Sequence, residues 1–167
     1  GTNGEIVIGN CDFMMTCACS AGPAFEGAEI SCGQRAAPGA IERVRIDPVT
    51  LESRIKVVGV DEWSDDPSFA EQVEAVGVTG VCGSGIIEVL GEMILAGLID
   101  EDGVIQGSKA ENSDRVIEDG RTFSYVLWRG AVELKITQTD IRSIQLAKAA
   151  LYAGVKLLMD KLEINCQ

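Results

Sequence analysis

The period of the apolar residues changes along the chain, and that change limits the fold more than any other feature of the sequence. Glu5-Ile6-Val7-Ile8 reads as a strand, and apolar and polar residues alternate through residues 40–46 and through residues 54–60. Alternation of this kind turns one face of a strand toward a core. From Ile86 the spacing becomes helical: Ile86, Ile87, Leu90, Met93, Ile94 and Leu98 recur three and four apart, with Gly97 fitting the C-terminal end. Residues 123–127 and 131–136 return to strand patterns around Arg129-Gly130. A long helix then covers 139–162, with Thr137 or Thr139 as its cap. The expected fold class is α/β, a mixed β-sheet backed by helices.

Turn chemistry punctuates these segments. Gly9-Asn10 closes the first strand, and residues 12–18 supply its hairpin partner. Ser20-Ala21-Gly22-Pro23-Ala24-Phe25-Glu26 reads as a short helix start, with Pro23 in the first turn and a capping serine or glycine before it. Asp47-Pro48-Val49-Thr50 separates two hairpin strands. Residues 61–68 are acidic and turn-rich, and residues 100–121 are polar; both read as loops. The chain opens on Gly1-Thr2-Asn3-Gly4 directly into a strand pattern and stops at Asn165-Cys166-Gln167, so both ends read as cut from something longer.

Composition removes several kinds of chemistry. The 167 residues contain no histidine, which excludes Ser-His and Cys-His catalysis and every His-ligated metal site. Asp and Glu number 26 against 14 Lys and Arg, a net charge of −12. Nucleic acid and anionic membrane both need a basic footprint and are not expected partners. No run of 18 apolar residues is present for a transmembrane helix. The cysteines Cys11, Cys17, Cys19, Cys32, Cys82 and Cys166 do not form paired Cys-x-x-Cys units. They read as reduced, buried apolar residues of a cytoplasmic protein. Iron–sulfur ligation by Cys11, Cys17, Cys19 and Cys32 is the sharper alternative.

Four places can carry chemistry, each with a plain structural alternative. Gly1-Thr2-Asn3-Gly4 before a strand can present N–H and hydroxyl donors to a phosphate, or be only a hairpin turn. Gly80-Val81-Cys82-Gly83-Ser84-Gly85 at a helix start can admit an anion, or only let the helix approach a sheet closely. It lacks the Gly-Lys-Ser/Thr ending of a P-loop and the third glycine of a dinucleotide fingerprint. Arg142, Gln145, Lys148, Tyr152 and Lys156 share one face of the long helix, opposite a stripe of Ile141, Ile144, Leu151, Val155, Leu158 and Leu162. That polar face can meet an adenine and ribose, or water. Glu26 can orient water or magnesium and Arg35 can hold phosphate, or the two can pair with each other.

Several of these segments occur together and in order. They are Gly1-Thr2-Asn3-Gly4-Glu5-Ile6, Gly22-Pro23-Ala24-Phe25-Glu26-Gly27, Gly33-Gln34-Arg35-Ala36, Gly80-Val81-Cys82-Gly83-Ser84-Gly85, and Thr137-Gln138-Thr139-Asp140-Ile141-Arg142 with Gln145-Leu146-Ala147-Lys148. The combination resembles the C-terminal ATPase region of the reductive activators of corrinoid proteins, across nearly the whole chain. The resemblance implies an actin-like ATPase fold, in which two lobes close on ATP and magnesium. It implies that residues 1–167 are a single partial domain, the second lobe, excised from a longer chain. Thr2, Asn3, Gly4, Gly83, Ser84, Gly85, Arg35, Gln145 and Lys148 would then bind nucleotide, with Glu26 as the catalytic candidate. The implied activity is ATP-driven return of Co(II) corrinoid to Co(I) on a partner protein of a methyltransferase system. The iron–sulfur cluster would sit in a separate ferredoxin-like domain. Further partners would be the first ATPase lobe of the same polypeptide and a second copy in a homodimer.

The match has departures. The Asp-Ile that precedes Gly-Thr-Asn-Gly in the family is missing before Gly1, and Gln34 stands where methionine is usual. The apolar-Ala-Gly-Ala-Phe-Gly-Asn segment expected after the long helix, which helps hold adenosine, is absent. The isolated chain is therefore expected to carry half a nucleotide site and to be inactive alone. Two other functions compete. One is a non-catalytic lobe that docks a corrinoid protein. The other is a lobe of a different actin-like ATPase, such as a dehydratase activator.

Overall fold

A computed structural model of the chain describes residues 3–164, so Thr2 of the expected phosphate turn and Cys166 lie outside the described residues. Strand β1 (Asn3–Gly9) pairs antiparallel with β2 (Met14–Ser20). Asn10 makes the turn between them, its side-chain oxygen accepting the Asp12 and Phe13 amides at 2.9 and 3.1 Å. This side-chain closure holds residues 10–13 as the loop and starts β2 two residues later than the sequence pattern suggests. Asn3 and Gly4 are not in a turn. They are strand residues paired with Ser20 and Cys19.

The short helix expected at Pro23 is a single 3-10 turn, Ala24–Glu26, without a side-chain cap. Gly27, at φ 86, ends it. Strands β3 (Ala40–Ile46) and β4 (Ser53–Val57) form the hairpin expected around Asp47. Asp47 closes it by accepting the Val49 and Thr50 amides. Helix α1 (Phe69–Glu74) follows, six residues too short for a periodic signal. Strand β5 (Gly80–Val81) pairs parallel with Ala40 and Ile41 and hands the chain directly to helix α2 (Gly83–Leu95).

Beyond β5, the outer edge of β3 has no strand neighbour among the described residues. The carboxylates of α2 take that place: Glu88 accepts the Val44 amide at 2.7 Å and Glu92 accepts the Ile46 amide at 2.9 Å. Arg43 and Arg45 bind Glu88 in turn. The edge amides are thus satisfied by side chains and closed to another strand.

A second three-stranded sheet contains β6 (Val116–Asp119), β7 (Thr122–Trp128) and β8 (Leu134–Thr137), all antiparallel. Strand β6 and a 3-10 turn at Gly107–Glu111 occupy the stretch expected to be loop. Tyr125, Val126 and Leu127 of β7 are fully buried, and the Tyr125 hydroxyl donates to the Leu51 carbonyl at 2.8 Å. That bond joins the second sheet to the β3–β4 hairpin. One core of Ile41, Val44, Ile55, Ile86, Val89, Met93, Leu98, Tyr125, Ile136 and Ile141 runs through both three-stranded sheets and both longer helices.

Helix α3 (Gln138–Lys161) starts at Thr137 with a reciprocal capping box to Asp140. Its first half joins the common core. Its second half lies across β1 and β2, where a Cβ on Gly4 would fall 2.1 Å from Leu151. Gly4 is therefore a packing glycine in this fold. Of the expected buried stripe, Ile141, Ile144 and Leu158 are buried, while Leu151, Val155 and Leu162 are partly covered.

Candidate functional site

Helices α2 and α3 do not pack against each other along their length. Between them lies a groove of about 390 Å³, walled by Ile87, Leu90 and Ile94 from α2 and by Ile141 and Ile144 from α3. Phe25, from the 3-10 turn, lies at its base, and residues 99–103 close one end. Gln145 and Lys148 line it from the polar side of α3. A cavity of about 480 Å³ lies elsewhere, between Arg45, Arg54, Asp65 and Glu92. Its arginines are engaged by carboxylates, Arg45 by Glu88 and Arg54 by Asp65, and stack on Trp63. The α2–α3 groove is the better ligand site, because it combines apolar walls with polar groups not consumed by ion pairs.

The glycine-rich start of α2 stands beside Phe25. A Cβ on Gly83 would lie 2.2 Å from the Phe25 carbonyl oxygen, and one on Gly85 would lie 2.4 Å from the Ile41 carbonyl oxygen. Both glycines are therefore required for the helix to seat against the 3-10 turn and β3. The side chain of the N-cap residue Cys82 does not cap this helix start, which leaves the first amides of α2 to other partners. Ser84 is exposed, with its hydroxyl 3.3 Å from the Cys82 thiol.

The remaining expected residues are spread around this centre. Lys148 is exposed and has no side-chain partner among the described residues. Gln145 is occupied at both ends: its Oε1 accepts Arg142 at 2.7 Å, and its Nε2 donates to the Asp102 carbonyl at 3.0 Å. Glu26 and Arg35 are both exposed, and no ion pair joins them among the described residues. The pairing open to them in the sequence is not made among the described residues. Asn3 and Gly4 sit at the start of β1, against the second half of α3.

Asp140, not singled out from the sequence, is the most enclosed carboxylate, only 3% exposed. It accepts the Ser31 amide and hydroxyl, both at 2.7 Å, and the Thr137 amide and hydroxyl, both at 2.8 Å. It ties the segment after the 3-10 turn to the start of α3. The Thr-x-x-Asp spacing is the signal that locates it. Nearby, burial pushes the Cys32 thiol up to about 12, and the negative charge of Asp140 adds to the shift. A thiol held protonated is a poor metal ligand. The Cys17 and Cys19 thiols turn toward the Gly154 and Gly4 carbonyls, and no group of three His, Cys, Asp or Glu residues is placed for a metal among the described residues.

The family model described as the C-terminal domain of RACo, the ASKHA domain, matches residues 1–167. The chain belongs to this family. ASKHA domains are actin-like ATPase folds, and the mixed sheets and helices above are this chain's version of one. The ASKHA domain is 33% identical over 175 residues to the corrinoid activation enzyme RamQ of Eubacterium limosum, across 99% of this chain and 27% of that protein. It is 34% identical over 108 residues to the [Co(II) methylated amine-specific corrinoid protein] reductase of Methanosarcina barkeri, across 60% of this chain and 20% of that one. Among solved structures, a reductive activator for corrinoid, iron-sulfur protein superposes with a TM-score of 0.79 at 38% identity, over 99% of this chain and 24% of that chain. The chain thus spans about a quarter of the length of the relatives it matches. No helix among the described residues is long and apolar enough to cross a membrane.

Proposed function

We propose that this domain is the second of two ATPase lobes in a reductive activator of corrinoid proteins, and that it supplies one side of the ATP site. The observation that carries this reading is the α2–α3 groove, which sets Lys148 beside walls of isoleucine and leucine. Apolar walls with one polar rim suit the faces and edge of an adenosine. The uncapped amides of Gly83, Ser84 and Gly85 stand where a helix N-terminus favours negative charge, and would serve phosphate. Thr2, Asn3 and Gly4 belong to the same proposal as phosphate contacts, Arg35 as a phosphate cation and Glu26 as the group that orients water. No carboxylate cluster for magnesium exists among the described residues, so the ion would be held mainly by phosphates and the opposing lobe.

ATP bound between two lobes supplies the free energy for an uphill electron transfer. The electron would come from an iron–sulfur cluster in a separate domain and go to Co(II) of the corrinoid, giving Co(I). The corrinoid protein of a methyltransferase system is the proposed partner; the relatives' descriptions, which name corrinoid or a corrinoid protein, support the corrinoid part of this reading. Exposed Ile94 and Leu95 on α2 favour a second contribution of this lobe, as a contact surface.

The test uses the protein in its full natural length. Lys148→Ala should weaken ATP binding by about 1.5–3 kcal/mol, the range for losing a hydrogen bond to a charged group. Fluorescent-nucleotide titration reads the affinity, and the visible absorbance of the corrinoid reads its reduction. A well-folded Lys148→Ala variant with wild-type affinity would remove the groove from the nucleotide site. Wild-type corrinoid binding without ATP turnover in the unmodified protein would leave only a docking lobe.

A further inference from the structure

We infer that Arg142 is a positioning residue for the α2–α3 groove, and that Gln145 serves the wall of the groove rather than its ligand. The inference rests on the nucleotide reading above. Gln138, Arg142 and Gln145 are four and three residues apart, so they project from one side of α3. They face the segment 99–105, which is pinched by the Ile99–Ile105 bridge. Gln138 donates to the Gly103 carbonyl at 2.6 Å and accepts the Ile105 amide at 2.9 Å. Arg142 donates to the Asp102 carbonyl at 3.2 Å and to the Gln145 side-chain oxygen at 2.7 Å. Gln145 donates to the same Asp102 carbonyl at 3.0 Å.

The chemistry of these groups fixes their order. A guanidinium has donors only, so Arg142 holds the Gln145 amide with its oxygen inward toward the arginine. The NH₂ of Gln145 is thereby aimed at Asp102, so each end of this amide is committed to the wall and its orientation is set by the brace, not by a base or ribose. The loop lies hard against it: a Cβ on Gly103 would be 2.3 Å from Gln145 Nε2. All four hydrogen bonds from α3 to the loop end on its backbone, at the Asp102 and Gly103 carbonyls and the Ile105 amide, so none of them uses an acidic side chain. Asp100, Glu101 and Asp102 are exposed, and apolar burial does not anchor them. Asp100, Glu101 and Gly103 nevertheless line the groove. The Arg142–Gln145 brace therefore sets how far this wall stands from Lys148, one turn further along α3.

The test combines loop dynamics with binding in the full-length protein. Arg142→Ala should raise amide exchange at Gly103 and Ile105 about tenfold without nucleotide, the effect of losing roughly one hydrogen bond. It should also raise Kd and KM for ATP several-fold with kcat unchanged, because the wall is displaced while the reacting groups are not. Arg142→Lys, which keeps one donor, should recover part of both effects. Lys148→Ala should weaken binding and leave loop exchange unchanged. Unchanged exchange in Arg142→Ala overturns the brace. Raised exchange with wild-type affinity, while Lys148→Ala does weaken binding, overturns the positioning role alone. Wild-type affinity in both variants overturns the nucleotide reading and the positioning role with it.

Discussion

Replacing Asp140 with alanine removes the link between the start of α3 and the segment that carries the 3-10 turn. The carboxylate accepts two bonds from Ser31 and two from Thr137, and the Asp140 amide donates back to Thr137 Oγ1 at 3.2 Å. Loss of an N-cap arrangement costs about 1 kcal/mol. Bonds from Ser31 to a charged acceptor contribute about 1.5–3 kcal/mol more. These do not add fully, since Ser31 is exposed and water replaces part of what is lost. The expected destabilisation is therefore about 3 kcal/mol, a lowering of the melting temperature by roughly 6–12 °C for a domain of this size. Asp140→Asn keeps the volume and one acceptor and should cost about half as much. Urea unfolding followed by circular dichroism measures both variants. A double-mutant cycle with Ser31→Ala should then show coupling of about 1 kcal/mol or more. Asp140→Ala within about 0.5 kcal/mol of wild type, the range of an unremarkable surface change, would refute the argument.

Two further predictions concern pH. Cys32 titrates near 12 in the fold against 9.0 in an ordinary environment, so the folded state holds its proton longer. Its contribution to stability is complete below pH 9 and is lost as pH rises toward 12, and Cys32→Ala should flatten that alkaline limb; an unchanged slope in urea midpoints would contradict it. Tyr125, also raised to about 12 by burial, should supply the slope that remains. At the acid end, partial burial opposes the charge of Glu88, but hydrogen bonds from Arg45, the Val44 amide and Arg43 outweigh it and hold its carboxyl below 4.5. Its contribution is present above pH 4.5 and lost as pH falls through the depressed value, so Glu88→Gln should flatten the acid limb, as read from melting temperature against pH.

The elements legible in the sequence are those whose apolar period is their own. Strand β3 falls at Ala40–Ile46, as its alternation indicates; α3 lies within one residue of the expected 139–162, and α2 ends three residues before Leu98, the last residue of its stripe. Strand β5 is two residues long and exists only through parallel pairing with Ala40 and Ile41, a contact across forty residues that no local pattern records. Strand β6 had a local signal, the Asp119-Gly120 pair before β7, but its polar surroundings hide the alternation. The glycines at 83 and 85 announce a close approach without saying to what. In the fold they approach the carbonyls of Phe25 and Ile41, which shows that packing alone requires them. Any anion at this helix start would use the amides, and the sequence cannot separate these two demands on one motif.

The polar face of α3 carries the same ambiguity one step further. Spacing places Arg142, Gln145, Lys148, Tyr152 and Lys156 on one side of a helix, but the fold gives that side three different neighbours. Arg142 and Gln145 are drawn to Asp102, 40 and 43 residues earlier, because the Ile99–Ile105 bridge turns that loop back toward α3. Lys148 faces the groove. Tyr152 is 70% exposed, and Lys156 pairs with Asp160 one turn along at 2.7 Å. A helix diverging from its neighbour creates these zones: near the 99–105 loop the face is braced, further along it borders an opening, and at the far end it meets water. Lys148 lies in the middle zone, where the loop no longer reaches and β1–β2 do not yet cover. Among the described residues, that is the one stretch of the face on which a ligand can meet an unpaired cation and apolar walls at once, so the affinity of the groove should depend on Lys148 directly and on Arg142 only through the loop.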